Sequence, residues 1–131
     1  MTAAKWITYP SFYAHLGLEL EALGEGKSRI RLPYRSEFGN SRGEVHGGIM
    51  ASIMDIAMSQ AIRSTLDAMA SIATMSLTLN YIGPGQGELI AQGELVRRGR
   101  STAFAEDKVF DARGELVCTA VGTFKARAGK E

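Results

Sequence analysis

The chain has 131 residues, 45% of them hydrophobic, which suits one compact domain over 1–131 with a core of its own. Fifteen basic residues against fourteen acidic ones leave a net charge of +1, so no global field steers the chain onto nucleic acid or an anionic membrane. Cys118 is the single cysteine and closes no intramolecular disulfide; with no charged-then-apolar leader and no apolar run of spanning length, a soluble, cytoplasmic protein is expected.

In chain order, "YPSFYAHLG" carries start signals at Pro10 and Ser11 and a stop at Gly17, predicting a short helix. "LELEALG" and "SRIRLPY" read as two strands joined by the turn-forming "GEGK" into a hairpin. After the loop "RSEFGNSRGEVHGG", Ile49 to Leu66 contain neither proline nor glycine and form the one long helix. From Ser71 the period becomes two: Met75, Leu77, Leu79 and Tyr81 alternate with Thr74, Ser76, Thr78 and Asn80. The "GPGQG" turn and the strands "ELIAQGELVRR", "STAFAEDKVFD" and "ELVCTAVGTFKAR" complete a meander, with no repeat or linker. One helix set among strand hairpins predicts an α+β fold, an antiparallel sheet with that helix on one face. Ile49, Met50, Ile53, Met54, Ile56, Met58 and Ile62 surround the helix axis, so the sheet has to wrap around it.

The loop into this helix holds His46-Gly47-Gly48. Glycines there either only turn the chain, or leave backbone N–H groups open at the positive end of the helix dipole, where a carbonyl oxygen becoming an oxyanion can be held. Asp55 is likewise open to two readings. It belongs to a solvated stripe with Ser52, Ser59 and Arg63, or it is a lone carboxylate in weakly polar surroundings, since no other charge falls between His46 and Arg63. The second environment suits a base or a nucleophile. Asp55 lies eight residues beyond Gly47, so about 12 Å of helix separates them at about 1.5 Å per residue. If both act on one carbonyl they come from different copies of the chain, which predicts a symmetric dimer with paired sites at its interface.

Asn40, then His46-Gly47-Gly48, then Asp55 nine residues beyond the histidine, resembles the signature of hotdog-fold acyl-CoA thioesterases of the phenylacetate-pathway (PaaI-like) type. The likeness covers nearly the whole chain, including the "NYIGPG" turn and the basic "RRGRS" hairpin. It implies a sheet wrapped around one long central helix and hydrolysis of an acyl-CoA of the aryl-acetyl or medium-chain kind to free acid and coenzyme A. It further implies that the Gly47 N–H, helped by Gly48, polarises the thioester carbonyl. Asn40 and His46 position the loop or the hydrolytic water, and Asp55 of the partner subunit acts as nucleophile or general base. A Ser or Thr on the strand after the helix assists; counting back from "NYIGP" selects Thr74, with Ser76, taken to lie on the same strand face, as the alternative. Arg97, Arg98, Arg100 and Ser101 form a turn that either contacts coenzyme A phosphates through charge-assisted hydrogen bonds or is plain solvated surface.

Trp6, Phe12 and Tyr13 either line an acyl pocket or pack in a core or interface, and Met50, Met54 and Met58 suit an apolar tunnel or ordinary core. Two histidines thirty-one residues apart and one cysteine make no metal ligand set, and no phosphate loop, dinucleotide fingerprint or nucleophile elbow is present. No cofactor is expected, coenzyme A being part of the substrate; the family suggests a homotetramer built as a dimer of dimers, with no nucleic-acid or membrane partner. Two other functions compete: an acyl-CoA sensor that binds without cleaving, and a hydroxyacyl-thioester dehydratase on the same fold.

Overall fold

The computed structural model describes residues 12–67 and 69–129. Trp6, Pro10 and Ser11 lie outside them. A short helix, α1 (Phe12–Leu16), leads into the hairpin β1 (Glu19–Gly24) and β2 (Lys27–Leu32). Glu25 and Gly26 join the two strands with φ of 54° and 78°, the pair of left-handed residues that a tight hairpin turn requires. β2 stops at Leu32 because Pro33 has no N–H to donate to a neighbour. The long helix is α2 (Gly47–Arg63), followed by β3 (Ser71–Tyr81), β4 (Leu89–Arg98), β5 (Thr102–Phe110) and β6 (Leu116–Arg127).

The six strands make one antiparallel sheet in the order β1-β2-β4-β5-β6-β3, with α2 packed against it. Met50, Ile53, Met54, Ile56, Ala57, Met58, Ala61 and Ile62 are all buried, which is the near-complete apolar belt read from the sequence. Gly93 shows how closely the helix lies. A Cβ built there would stand 2.4 Å from the Ala57 carbonyl oxygen, and Ser28 Oγ donates to that same oxygen at 2.6 Å. A side chain at this point of β4 would lift the helix off the sheet.

Both ends of α2 differ from the sequence reading. It begins at Gly47 rather than Ile49, because the His46 side chain caps it, and it ends at Arg63 rather than Leu66. There Ser64 Oγ and Thr65 Oγ1 donate to the carbonyls of Ala61 and Ile62 at 2.7 and 2.8 Å, satisfying the last turn with side chains that compete with further helix. A second correction concerns β3. A bulge between Thr74 and Ser76 leaves Met75 out of register, 62% exposed, while Leu77 and Leu79 pack on the core.

One buried group defies the pattern. In β5 the inward residues are Ala103, Ala105, Asp107 and Val109, and Asp107 is 3% exposed. Neither of its carboxyl oxygens has a hydrogen-bond partner among the described residues. Burial drives its pKa well above the ordinary carboxylate range, and burial followed by the proximity of Asp107 raises the Cys118 thiol to about 11. A raised folded-state pKa gives stability that is complete below the unfolded value of about 3.9 and lost as pH climbs toward the folded one. Asp107→Val should therefore stabilise the fold at neutral pH by roughly 1–3 kcal/mol, the cost of an unsatisfied buried polar group. Denaturant midpoints at pH 5 and pH 8 check it: the gap between them should narrow in the variant, and a variant less stable than the parent at pH 8 would contradict the account.

Candidate active site at the helix mouth and the β3 edge

The loop before α2 is a small closed structure. Gly39 bridges Val45, and Asn40 N–H donates to the Glu44 carbonyl at 2.8 Å. The Asn40 side chain is spent inside this loop: Oδ1 accepts from the N–H of Arg42 and of Glu44 at 2.8 and 3.1 Å, and Nδ2 donates to Glu44 Oε1 at 3.1 Å. The hydrogen bond from Asn40, and then those from Arg42, hold the Glu44 carboxyl below its ordinary pKa. Asn40 thus shapes the loop. Glu44 and Arg42, which sequence reasoning passed over, complete that frame, and the loop is tied to the later "GPGQG" turn by a Val45 N–H bond to the Gly85 carbonyl at 2.8 Å.

His46 then sets the helix mouth. Its N–H donates to the Phe38 carbonyl at 2.7 Å, and its Nδ1 accepts from Gly48 N–H at 2.9 Å. A Cβ at Gly48 would press on that imidazole at 3.1 Å, so the second glycine is what allows the histidine to cap. Ile49 and Met50 N–H both donate to the His46 carbonyl. Of the four N–H groups that a helix start leaves over, three are therefore spent. Gly47 N–H alone remains without a partner among the described residues, at the positive end of the helix dipole. Of the two expected donors, Gly48 is already engaged by His46.

Two turns further on, Asp55 is half-buried and accepts from Thr74 Oγ1 at 2.7 Å. It forms no ion pair among the described residues. The serines beside it do not reach it: Ser52 Oγ donates to the Gly48 carbonyl and Ser59 Oγ to the Ile56 carbonyl. The bulge in β3 distinguishes the two candidate hydroxyls. Thr74 stands opposite the buried Phe124 on the helix side, whereas Ser76 stands opposite Thr123 and lines a shallow depression on the other face with Thr78, Phe104 and Val121. The expectation that Ser76 shares a face with Thr74 is thus corrected.

Arg97, Arg98 and Arg100 are exposed at the β4–β5 turn and form no ion pair among the described residues; the Ser101 carbonyl accepts from Ala126 N–H. Arg98, Ala103, Phe124 and Thr74 lie in one row across four strands, so Arg98 is about 14 Å from Thr74 at about 4.8 Å per strand. Phe12 is exposed, and Tyr13 packs on the core with its Oη accepting from Gln60 Nε2 at 3.2 Å. The structure thus brings Thr74 to Asp55, and His46 and Gly48 to Gly47, while Asn40 bonds, among the described residues, only within the loop before them. It does not bring these two groups together within one chain.

The thioesterase superfamily model matches residues 42–118. A Halobacterium salinarum protein named provisionally as an esterase is 36% identical over 84% of this chain and 80% of its own length. The 1,4-dihydroxy-2-naphthoyl-CoA hydrolase of Listeria monocytogenes is 23% identical over 79% of this chain and 85% of its own. The structure of the PaaI protein from the Escherichia coli phenylacetic acid degradation operon superposes with a TM-score of 0.81 at 19% identity, covering 90% of this chain and 85% of that one.

Proposed function

Because this chain belongs to the thioesterase superfamily, we propose that it hydrolyses an acyl-CoA to free acid and coenzyme A at sites shared between two subunits. Gly47 N–H of one subunit holds the thioester carbonyl oxygen, and Asp55 of the partner subunit faces the carbonyl carbon. The observation that carries this reading is that the unspent N–H and the unpaired carboxylate sit on one helix about 12 Å apart. Neither can serve the other in one chain. A carbonyl placed on Gly47 N–H needs an outside carboxylate, and a second copy supplies it.

The strand that would join the copies is β3. It is an edge strand of 11 residues with no charge and no proline, whereas edges that stay unpaired are usually protected by one or the other. Pairing β3 with its symmetry mate would extend the sheet and set two copies of α2 side by side and antiparallel. To bring Asp55 and Thr74 of one subunit to Gly47 of the other, the two-fold axis passes midway between Thr74 and Tyr81, beside Leu77 and Thr78. On the outer sheet face Val96, Phe104 and Val121 are exposed together, which supports a further pairing of dimers into a tetramer. Light scattering should report a dimer or a tetramer; a monomer would end the shared-site reading.

The chemistry follows from the groups present. In one route Asp55 adds to the carbonyl carbon, the C–S bond breaks, coenzyme A leaves as thiolate, and water cleaves the resulting anhydride. In the other Asp55 takes a proton from water as the water oxygen bonds to the carbonyl carbon, the C–S bond breaks, and the proton held by Asp55 passes to the departing thiolate. In both, negative charge builds on the oxygen beside Gly47 N–H, and a preorganised donor there is stronger in the transition state than in the ground state. Arg97, Arg98 and Arg100 with Ser101 lie at the Asp55 end of the sheet, so the subunit that lends Asp55 also lends the phosphate contacts. The Listeria relative's aromatic CoA ester and the phenylacetic acid operon of the PaaI protein support an aromatic acyl group.

A thiol-trapping assay with phenylacetyl-CoA, benzoyl-CoA and hexanoyl-CoA tests the proposal. Thiol release is expected with at least one of them, and in the Arg97→Ala, Arg100→Ala double variant KM should rise severalfold with kcat kept. Tight binding without thiol release would identify a sensor instead, and enoyl product from a 3-hydroxyacyl-CoA a dehydratase.

A further inference from the structure

We propose that Tyr81 is a positioning residue of this reaction, holding the Gly47 carbonyl so that the backbone of this glycine keeps its N–H pointed at the thioester oxygen. The inference rests on the thioesterase reading above and deepens it. Tyr81 Oη donates to the Gly47 carbonyl at 2.7 Å, and its ring lies against the same residue, 3.4 Å from where a Cβ would stand. The contact joins residues thirty-four positions apart and couples the last residue of β3 to the first residue of α2.

Gly47 needs such a hold. Glycine has no side chain to restrict its own backbone, and the first helical residue lacks the full set of helix bonds. The peptide that carries Gly47 N–H is held at its other end, where the His46 carbonyl accepts from the N–H groups of Ile49 and Met50. The peptide after it is held at both ends, its Gly48 N–H by His46 Nδ1 and its Gly47 carbonyl by Tyr81 Oη. The tyrosine is itself anchored, since Tyr81 pairs with Cys118 and the next two N–H groups, those of Ile82 and Gly83, both donate to the Val117 carbonyl. Burial first, and Cys118 second, raise the Tyr81 pKa, so the hydroxyl keeps its proton and remains a donor at neutral pH.

The placement also gives β3 two jobs. At one end Thr74 holds Asp55, and at the other Tyr81 holds Gly47. In the proposed dimer Tyr81 of one subunit stands beside Thr74 of the other, so a single pair of edge strands spaces the carboxylate against the N–H in both sites.

The test is a double-mutant cycle read with phenylacetyl-CoA, alongside binding of its non-hydrolysable thioether analogue. Tyr81→Phe, which keeps the ring and loses the hydroxyl, should lower kcat about tenfold with KM and analogue affinity within twofold of the parent, the equivalent of about 1.4 kcal/mol. Made in a Gly47→Pro background, which has no N–H to position, the same change should cost nothing more. A parental kcat in Tyr81→Phe would overturn the inference, as would a second tenfold loss in the proline background. Either result leaves the thioesterase reading intact if Gly47→Pro and Asp55→Asn are themselves impaired; full turnover in those two variants, or none in the parent, removes that reading and this inference with it.

Discussion

Asp55→Asn should lower kcat by about three orders of magnitude, within the range that a positioned base supplies, while the fold is kept. Asparagine has the shape of the aspartate, its oxygen can still accept from Thr74 Oγ1, and no ion pair among the described residues is lost. The amide neither attacks a carbonyl nor takes a proton from water, so only the chemical step suffers. Turnover on acyl-CoA thioesters together with the thermal midpoint provides the check: a variant with parental kcat would exclude Asp55 from the reaction. Acid-quenched mass spectrometry of the parent separates the two routes, since an added acyl mass marks the nucleophilic one.

Gly47→Pro should lower kcat about 10²–10³-fold, the usual cost of one oxyanion donor, and it removes little else. Position 47 is the first helical residue, where proline is favoured because its missing N–H has no helical partner. His46 already has φ −59° and ψ 137°, which is the extended backbone a residue before proline adopts. The variant therefore deletes one hydrogen atom's worth of chemistry from an intact helix. Its stronger use is in mixed dimers. If sites are shared, a heterodimer of Gly47→Pro with Asp55→Asn carries both lesions in one site and none in the other. Random one-to-one mixing should then restore about a quarter of parental activity, half the dimers each having one of two sites, as isologous symmetry requires. Sites contained within a single chain would give no recovery.

The resemblance read from Asn40, His46-Gly47-Gly48 and Asp55 agrees with the superfamily match, and the hotdog architecture agrees with the observed sheet and helix. Asp107 shows a signal that was in the sequence and went unused: the alternation of β5 places it in phase with Ala103, Ala105 and Val109, so its burial could have been inferred. The capped start of α2 was harder to see. Glycine is a poor helix former, and bonds from outside the local pattern, the His46 side chain to Gly48 N–H and Tyr81 Oη to the Gly47 carbonyl, hold both glycines in the helix.

The elements and their order were determined by the sequence alone, because periods of two and 3.6 residues, turn glycines and prolines are local properties. The candidate carboxylate and helix mouth were legible for the same reason. Which hydroxyl reaches Asp55 was decided by the tertiary structure: the bulge at Met75 arises from pairing with β6, and it turns Thr74 toward the helix and Ser76 away. The hold of Tyr81 on Gly47 was decided there too. No period within a strand says which helix end its last side chain will meet, since that depends on where the sheet and the helix come to rest against each other.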